Sequence, residues 1–218
     1  NGNPVYGEYR INRRSVYFDD KSGTQIIDRF APNGHFYDQD GVFVNLGTNR
    51  FVEIKGKWYY LNNSGQIIKG SHIINGAQVY FDENGIQIKG DFDKENRYYD
   101  EHTGKLVTNR FVTVKDKNYF IGAKGIPVKG ATLIDGKEYY FDKKTGAQVK
   151  GDFGGNGKYY DASTGALVTN RYVNVDKYWY YLDAEGKPLK GSQTINNVPV
   201  YFDSYYGRQV KGDFGDDG

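Results

Sequence analysis

The chain repeats itself, and no other feature restricts its fold as much. Val16-Tyr-Phe-Asp19 returns as Val79-Tyr-Phe-Asp82, Tyr139-Tyr-Phe-Asp142 and Val200-Tyr-Phe-Asp203, at intervals of 63, 60 and 61 residues. Lys89-Gly-Asp-Phe92 recurs as Lys150-Gly-Asp-Phe153 and Lys211-Gly-Asp-Phe214, and Thr48-Asn-Arg-Phe51 as Thr108-Asn-Arg-Phe111 and Thr169-Asn-Arg-Tyr172. Nested in this long period of about 61 is a shorter one of about 20: an aromatic pair, an Asp or Asn, a turn closed by Gly, then an alternating strand. Trp58-Tyr-Tyr-Leu-Asn-Asn-Ser-Gly-Gln-Ile-Ile-Lys-Gly70 is one copy, and others start near Tyr98, Tyr119, Tyr159 and Tyr180. Such a period marks a series of supersecondary units, none of which buries its apolar face alone.

Each unit reads as a β-hairpin. Period-2 alternation flanks Asp82-Glu-Asn-Gly85 and Asp142-Lys-Lys-Thr-Gly146, with Gly available for the positive φ of the loop. Composition agrees: 29 Gly, 21 Tyr and 13 Phe among 218 residues favour strands and turns over helices. An isolated hairpin is marginal in water, so stacking is required. The expected fold is all-β, an elongated β-solenoid of stacked hairpins of about 20 residues with a higher-order repeat of about 61. No linker composition divides it, so residues 1–218 read as a single repeat array, irregular around Ala31-Pro-Asn-Gly34. It stops abruptly at Gly212-Asp-Phe-Gly-Asp-Asp-Gly218, which reads as the end of a fragment.

Several chemistries are excluded. There is no Cys, hence no disulfide framework, thiolate zinc site or thiol nucleophile. The 29 basic and 27 acidic residues nearly cancel and form no like-charge block, so no nucleic-acid partner and no anionic-lipid surface is expected. No apolar run is long enough to span a bilayer, and Asn1-Gly-Asn-Pro-Val5 is not a signal peptide.

Folding one hairpin on paper sorts its side chains onto two faces. Pairing Phe81 with Ile86 sets Tyr80 opposite Gln87, Val79 opposite Ile88 and Gln78 opposite Lys89. One face then carries Tyr80, Gln87 and Lys89; the next long repeats give Tyr140, Gln148, Lys150 and Tyr201, Gln209, Lys211. Intervening hairpins lack the cluster, having Ile67, Leu106, Pro127, Leu167 and Pro188 where the glutamines stand. The first repeat is incomplete, with Tyr17 and Gln25 but Ile27 in place of the lysine. An aromatic ring, a side-chain amide and an ammonium suit a neutral polyhydroxylated ligand: stacking on a pyranose C–H face and hydrogen bonds to hydroxyls. Tyr98 and Tyr159 of the following hairpins are expected at the pocket edge. The plainer alternative, a solvated Gln and Lys beside a packed Tyr, accounts for the same residues.

The units Glu138-Tyr-Tyr-Phe-Asp-Lys-Lys-Thr-Gly-Ala-Gln-Val-Lys-Gly-Asp-Phe153 and Tyr159-Tyr-Asp-Ala-Ser-Thr-Gly-Ala-Leu-Val-Thr-Asn-Arg-Tyr172 resemble the glucan-binding repeats of glucansucrases, part of the wider set of cell-wall and choline-binding repeats. The resemblance covers nearly the whole chain in register. It implies an accessory module, of the domain V type, from a secreted sucrose-using enzyme of family 70. It also implies α-glucan as partner, bound in shallow sugar pockets by Tyr, Gln and Lys at the three clusters named above, with no cofactor and a monomeric chain. No segment resembling the catalytic residues of a sucrase is present, so the piece itself is expected not to be an enzyme. Choline-binding repeats use Trp-rich cages, whereas this chain has two Trp, Trp58 and Trp179, and a lysine at each candidate pocket.

Other polar residues read as structural. Asp82, Asp100, Asp142, Asp161, Asp183 and Asp203 share one turn-entry position, where Asp bonds its own backbone, rather than pairing across a cleft as glycosidase carboxylates do. His35, His72 and His102 fall at unrelated repeat positions, against a His metal site or a Ser-His triad. Calcium on loops such as Asp91-Phe-Asp93 is open against ordinary turns, Gly154-Gly-Asn-Gly157 lacking the Asp of a calcium β-helix repeat. Arg50, Arg110 and Arg171 are expected to bridge hairpins. Three functions stay in view: an extracellular glucan-binding module, a surface anchor recognising choline or wall polymer, and a spacer.

Overall fold

A computed structural model describes residues 3–212; Phe214 of the last Lys-Gly-Asp-Phe copy and the abrupt end lie outside them. The chain folds as two compact units, Asn1–Val107 and Thr108–Gly218. All regular structure among the described residues is β.

The first unit runs β1 (Gly7–Ile11), β2 (Arg14–Phe18), β3 (Arg29–Phe30), β4 (Phe36–Tyr37), β5 (Phe43–Val44), β6 (Arg50–Ile54), β7 (Lys57–Leu61), β8 (Gly70–Ile74), β9 (Ala77–Phe81), β10 (Asp91–Phe92) and β11 (Tyr98–Tyr99). The second runs β12 (Arg110–Val114), β13 (Lys117–Ile121), β14 (Gly130–Ile134), β15 (Lys137–Phe141), β16 (Asp152–Phe153), β17 (Tyr159–Tyr160), β18 (Tyr172–Val175), β19 (Tyr178–Tyr181), β20 (Gly191–Ile195) and β21 (Val198–Phe202). Strands pair antiparallel with their sequence neighbours; β3, β4 and β5 form a three-stranded sheet and the rest are two-stranded hairpins. Each long repeat holds two long hairpins and one short one, as in β12–β13, β14–β15 and β16–β17.

The hairpin turns are not where the alternation placed them. The long hairpins turn on two residues that both have positive φ, such as Asn75 (50°) with Gly76 (75°) and Asp135 (49°) with Gly136 (75°). This is the mirror-image turn that matches strand twist, and Asn-Gly is its strongest signal. Asp82-Glu-Asn-Gly85 forms a second turn after the hairpin. There the Asp82 carboxylate accepts the backbone N–H groups of Asn84 and Ile86, each at 2.8 Å. Asp100, Asp142, Asp161, Asp183 and Asp203 do the same in their turns. The turn-entry role expected of these residues is the one observed.

A residue at or just past the end of the second strand of most hairpins is the structural spine. Leu61, Phe81 and Tyr99 in the first unit, and Ile121, Phe141, Tyr160 and Phe202 in the second, are completely buried. Each also forms a single bridge to a residue beyond the next turn, as Leu61 does to Ile67, Phe81 to Gln87, Tyr99 to Leu106, Ile121 to Pro127, Phe141 to Gln148 and Phe202 to Gln209. Where the residue across the bridge is not proline, its N–H reaches back to the preceding hairpin. The Gln87 backbone N–H donates to the Trp58 carbonyl at 2.7 Å, that of Leu106 to Gln78 at 2.8 Å and that of Gln148 to Asn118 at 2.8 Å. Hairpins in each unit are thus stacked and tied, as solenoid logic requires.

Buried tyrosine hydroxyls close the short hairpins. Tyr99 donates to Asp93 at 3.0 Å, and Asp93 also accepts the Arg97 side chain at 2.8 Å. Burial opposes ionisation of Asp93, yet the bonds from Arg97 and Tyr99 outweigh it and hold the carboxyl below its ordinary range. The loop carboxylate considered as a calcium ligand is therefore occupied by a guanidinium. In the second unit Tyr160 donates to Glu138 at 2.8 Å and accepts from Asn156 at 2.8 Å. Burial, then the neighbouring carboxylates, push both tyrosines well above their ordinary 10.0.

Two outcomes follow. Asp93 is lowered by net hydrogen bonding, and Asp142 and Asp161 by backbone N–H donors. Their contribution is complete above the unfolded carboxylate range and vanishes as pH falls through their depressed values. Acid unfolding followed by circular dichroism should accordingly set in only below pH ~4. Phe141→Ala, at a spine position, should cost about 3–5 kcal/mol in urea denaturation.

Candidate functional site

The glutamines occupy the position at which one hairpin rests on the next. A Cβ added to Gly85 would meet Ile67 at 2.8 Å, one on Gly146 would meet Pro127 at 3.0 Å, and one on Gly186 would meet Leu167 at 2.5 Å. At the glutamine positions the amide takes that place: a Cβ on Gly104 would lie 2.2 Å from Gln87 Nε2, and one on Gly165 2.2 Å from Gln148 Nε2. The first repeat does likewise with Gln25 beneath Gly41. Ile, Leu and Pro therefore meet the packing requirement as well as Gln does.

The amide itself is poorly satisfied there. Gln25 Nε2 reaches the Asp40 and Gly41 carbonyls only at 3.4 Å, and Gln148 Nε2 the Thr164 carbonyl at 3.4 Å. Gln87 is 6% exposed, and its Nε2 is a buried side-chain nitrogen with no hydrogen-bond partner among the described residues. Such a group costs about 1–3 kcal/mol against an apolar side chain of the same shape.

The register expected from alternation is one residue out, and the predicted cluster changes with it. Ile86 stays inside the Asp82 turn, so Phe81 bridges Gln87 rather than Ile86, and the Ile88 N–H donates to Tyr80 O at 2.9 Å. Gln87 and Lys89 share a face, but Tyr80 lies on the other one, with Ile88. Tyr80 is a core residue, 7% exposed and packed on Tyr99 with ring centroids 6.0 Å apart. Tyr140 is the same: 3% exposed, 5.7 Å from Tyr160. Tyr201 stands at the corresponding position, its carbonyl accepting the Val210 N–H at 3.0 Å. Tyr98 and Tyr159 are also buried, against Phe92 and Phe153.

The aromatic residue beside Gln87 and Lys89 is instead Trp58. Lys89 Nζ sits 4.6 Å from its ring centroid, and in the second unit Lys211 Nζ sits 5.2 Å from that of Trp179. The sequence carries a signal for this, since the two tryptophans stand 121 residues apart, two long periods. In the middle repeat Asn118 replaces Trp beside Gln148 and Lys150. Lysine also has a packing role that does not need Gln: Lys89 donates to His102 O at 3.4 Å, and Lys129 and Lys190 to Lys144 O and Tyr205 O at 3.0 and 2.8 Å.

These repeats have known counterparts. The choline-binding repeat profile matches residues 68–111, 112–153 and 128–172, and the putative cell wall binding repeat profile residues 49–67 and 170–187. The chain belongs to this family of repeats. Glucosyltransferase-S of Streptococcus mutans is 40% identical over 93% of the chain, and glucosyltransferase-I of Streptococcus downei 37% identical over 85%. The chain spans only 14% and 12% of those two relatives' lengths. Among solved structures, CbpJ from Streptococcus pneumoniae superposes with a TM-score of 0.59 at 21% identity, over 97% of this chain and 90% of that one. Choline binding protein F of the same organism gives 0.55 at 21%, over 97% and 89%. At that identity the likeness is one of fold.

If the amide is carried at a stability cost, Gln87→Leu should leave the melting temperature unchanged or raise it, by up to about 1–3 kcal/mol in stability. Gly104→Ala, with φ of 66° and a Cβ against that amide, should lower it. Differential scanning calorimetry of both variants distinguishes a glutamine kept for packing, whose replacement destabilises, from one kept for another purpose.

Proposed function

We propose that this chain is a non-catalytic, extracellular carbohydrate-binding module that holds α-glucan at its repeated Gln and Lys positions. The observation that carries the reading is the glutamine amide of every third hairpin, at 25, 87, 148 and 209, where the intervening hairpins use Ile, Leu or Pro. A polar group that packing does not need and that lacks good protein partners is suited to hydroxyl groups of a ligand. Glucan is the favoured polymer because the curated relatives are named as glucosyltransferases. The aligned segment is a small part of each, in keeping with an accessory role beside a catalytic region.

Trp58 with Lys89, and Trp179 with Lys211, would each offer a ring and an ammonium to one sugar, with the half-buried Gln209 amide beside the second pair and the buried Gln87 amide beneath the first. Tyr80, Tyr140 and Tyr201 would act from below, fixing the strand that carries the bridge. Gln148 and Lys150, lacking Trp, would bind more weakly. Single contacts of this kind are weak, and retention of a polymer arises when several engage one strand, raising apparent affinity by roughly 10² to 10⁴. A lysine at each position disfavours a cationic ligand such as choline.

Native affinity electrophoresis in gels containing dextran tests this. The chain should be retarded, with retardation falling stepwise in Gln87→Ala/Lys89→Ala, in Gln148→Ala/Lys150→Ala and in their combination, while circular dichroism stays unchanged. Unaltered mobility of the wild type in dextran and in other α-glucans would overturn the glucan reading, and displacement from cell walls by choline would favour anchoring.

A further inference from the structure

Two recesses fall at the same place in the two units, each between a short hairpin, the long hairpin after it, which carries no glutamine, and the turn that precedes the next glutamine. In the first unit a cavity of about 530 Å³ is lined by Phe30, Tyr59, Ile67, Lys69 and Asn84, among others. In the second, one of about 450 Å³ is lined by Phe153, Tyr180, Pro188, Lys190 and Tyr206, among others. The two sets correspond position by position. Each has a Phe from the first strand of a short hairpin, a Tyr from the middle of a long one, the apolar residue that supports the next turn, the Lys two residues on, and the residue preceding the next turn glycine. A cavity that recurs at one repeat position is built by the fold.

The aromatic walls are ordered in both. Phe30 packs on Tyr59 with centroids 4.7 Å apart, and Phe153 on Tyr180 at 5.1 Å. The second recess has a further wall, the ring of Tyr206, which meets Tyr205 in a T-shaped contact with centroids 4.5 Å apart. Tyr206 is 56% exposed, yet its ring is held by the Arg208 guanidinium, 4.4 Å from its centroid. Arg208 lies 3.8 Å from the Tyr178 centroid on another side and donates through Nε to the Tyr180 hydroxyl at 3.3 Å. The corresponding turn residues in other hairpins are Asn84 and Thr145, and Thr145 caps Asp142 through its hydroxyl at 2.7 Å. Tyr206 has given up that capping bond for a ring fixed at a cavity rim. Lys190 Nζ, held on the Tyr205 carbonyl at 2.8 Å, stands at the same rim.

We infer that the recess between Phe153, Tyr180, Pro188 and Tyr206 is a second kind of saccharide subsite, separate from the glutamine positions. A neutral pyranose stacks on Tyr206 and its hydroxyls meet the Lys187 and Lys190 ammonium groups. Stacking needs a fixed, exposed ring, which Arg208 supplies. A quaternary ammonium is disfavoured by the two lysines here, whereas the first-unit recess is mixed in charge, with Arg29, Lys57 and Lys69 beside Asp19 and Glu83. A fully apolar ligand would leave the lysine ammonium groups without hydroxyls to meet. The first-unit recess has Asn84 in place of the rim ring and binds more weakly. The choice of glucan as ligand rests on the proposed function, whereas the residues are different ones.

The test is titration of the isotopically labelled chain with isomaltotriose, and separately with choline, followed by amide chemical shifts. It is run on the wild type, Tyr206→Ser and Gln87→Leu/Gln148→Leu/Gln209→Leu. Isomaltotriose should move the amides of Phe153, Gly157, Lys187 and Lys190 in the wild type and equally in the triple glutamine variant. Tyr206→Ser should weaken that response roughly tenfold, the loss of a stacking contact of about 1.4 kcal/mol, and leave the Gln148 response intact. Shifts at the glutamines with none around Phe153 would overturn the second subsite and leave the glucan reading standing. So would a Tyr206→Ser chain that responds like the wild type. Response to choline alone would overturn the ligand class, and no response to isomaltotriose in either set would remove both readings together.

Discussion

Both units depend on one small contact, the single bridge that joins the end of a hairpin to a residue just past the following turn. The residue on the hairpin side is wholly buried. The residue on the other side sets its side chain under the turn glycine of the next hairpin and, unless it is proline, sends its amide N–H to the preceding one. Three successive hairpins therefore meet at one amino acid. Pro127 and Pro188 forgo the amide bond, and the side chain is otherwise free to vary among shapes that fill the space beneath a glycine.

That freedom lets an array built for stacking also carry chemistry. Ile67, Pro127, Leu167 and Pro188 spend the position on apolar contact, the usual stabilising choice. Gln25, Gln87 and Gln148 occupy the same space with a group that the protein does not satisfy well, and the deficit is largest at Gln87. Chemistry at this position is added without altering the backbone that supports it. The rim ring of Tyr206 is a second instance, since Thr145 caps its turn Asp through both hydroxyl and backbone whereas Tyr206 does so through its backbone alone.

Fold class and repeat periods were legible because they rest on recurrence and alternation, which need no geometry. The turn role of Asp82, Asp142 and their equivalents was legible for the same reason. Register was not. The Asp82 carboxylate holds Ile86 within the turn, making it one residue longer than the Asp-x-x-Gly pattern suggests. A one-residue slip carries every side chain to the other face. Tyr80, Tyr140, Tyr98 and Tyr159 thus moved from a pocket to the core, while Trp58 and Trp179 moved to the glutamines and lysines. Equivalent positions along the repeat were still aligned correctly, because Gln87 and Gln148 both bridge a Phe although their turns differ in length by one. Asn75-Gly76 and Asp135-Gly136 were the clearest hairpin signals present, and the aromatic-Asp-Gly pattern drew attention away from them.

Among the described residues of each unit, the bonds beyond a hairpin described above run to adjoining hairpins, the residue after each turn binding the rung just completed and the one before it. Order can therefore spread from one rung to the next without waiting for a distant segment. A chain delivered gradually from its N-terminus, through a ribosome or a narrow pore, can set each rung on the one already formed. The same nearest-neighbour wiring lets rungs be gained or lost by duplication while those that remain keep their contacts.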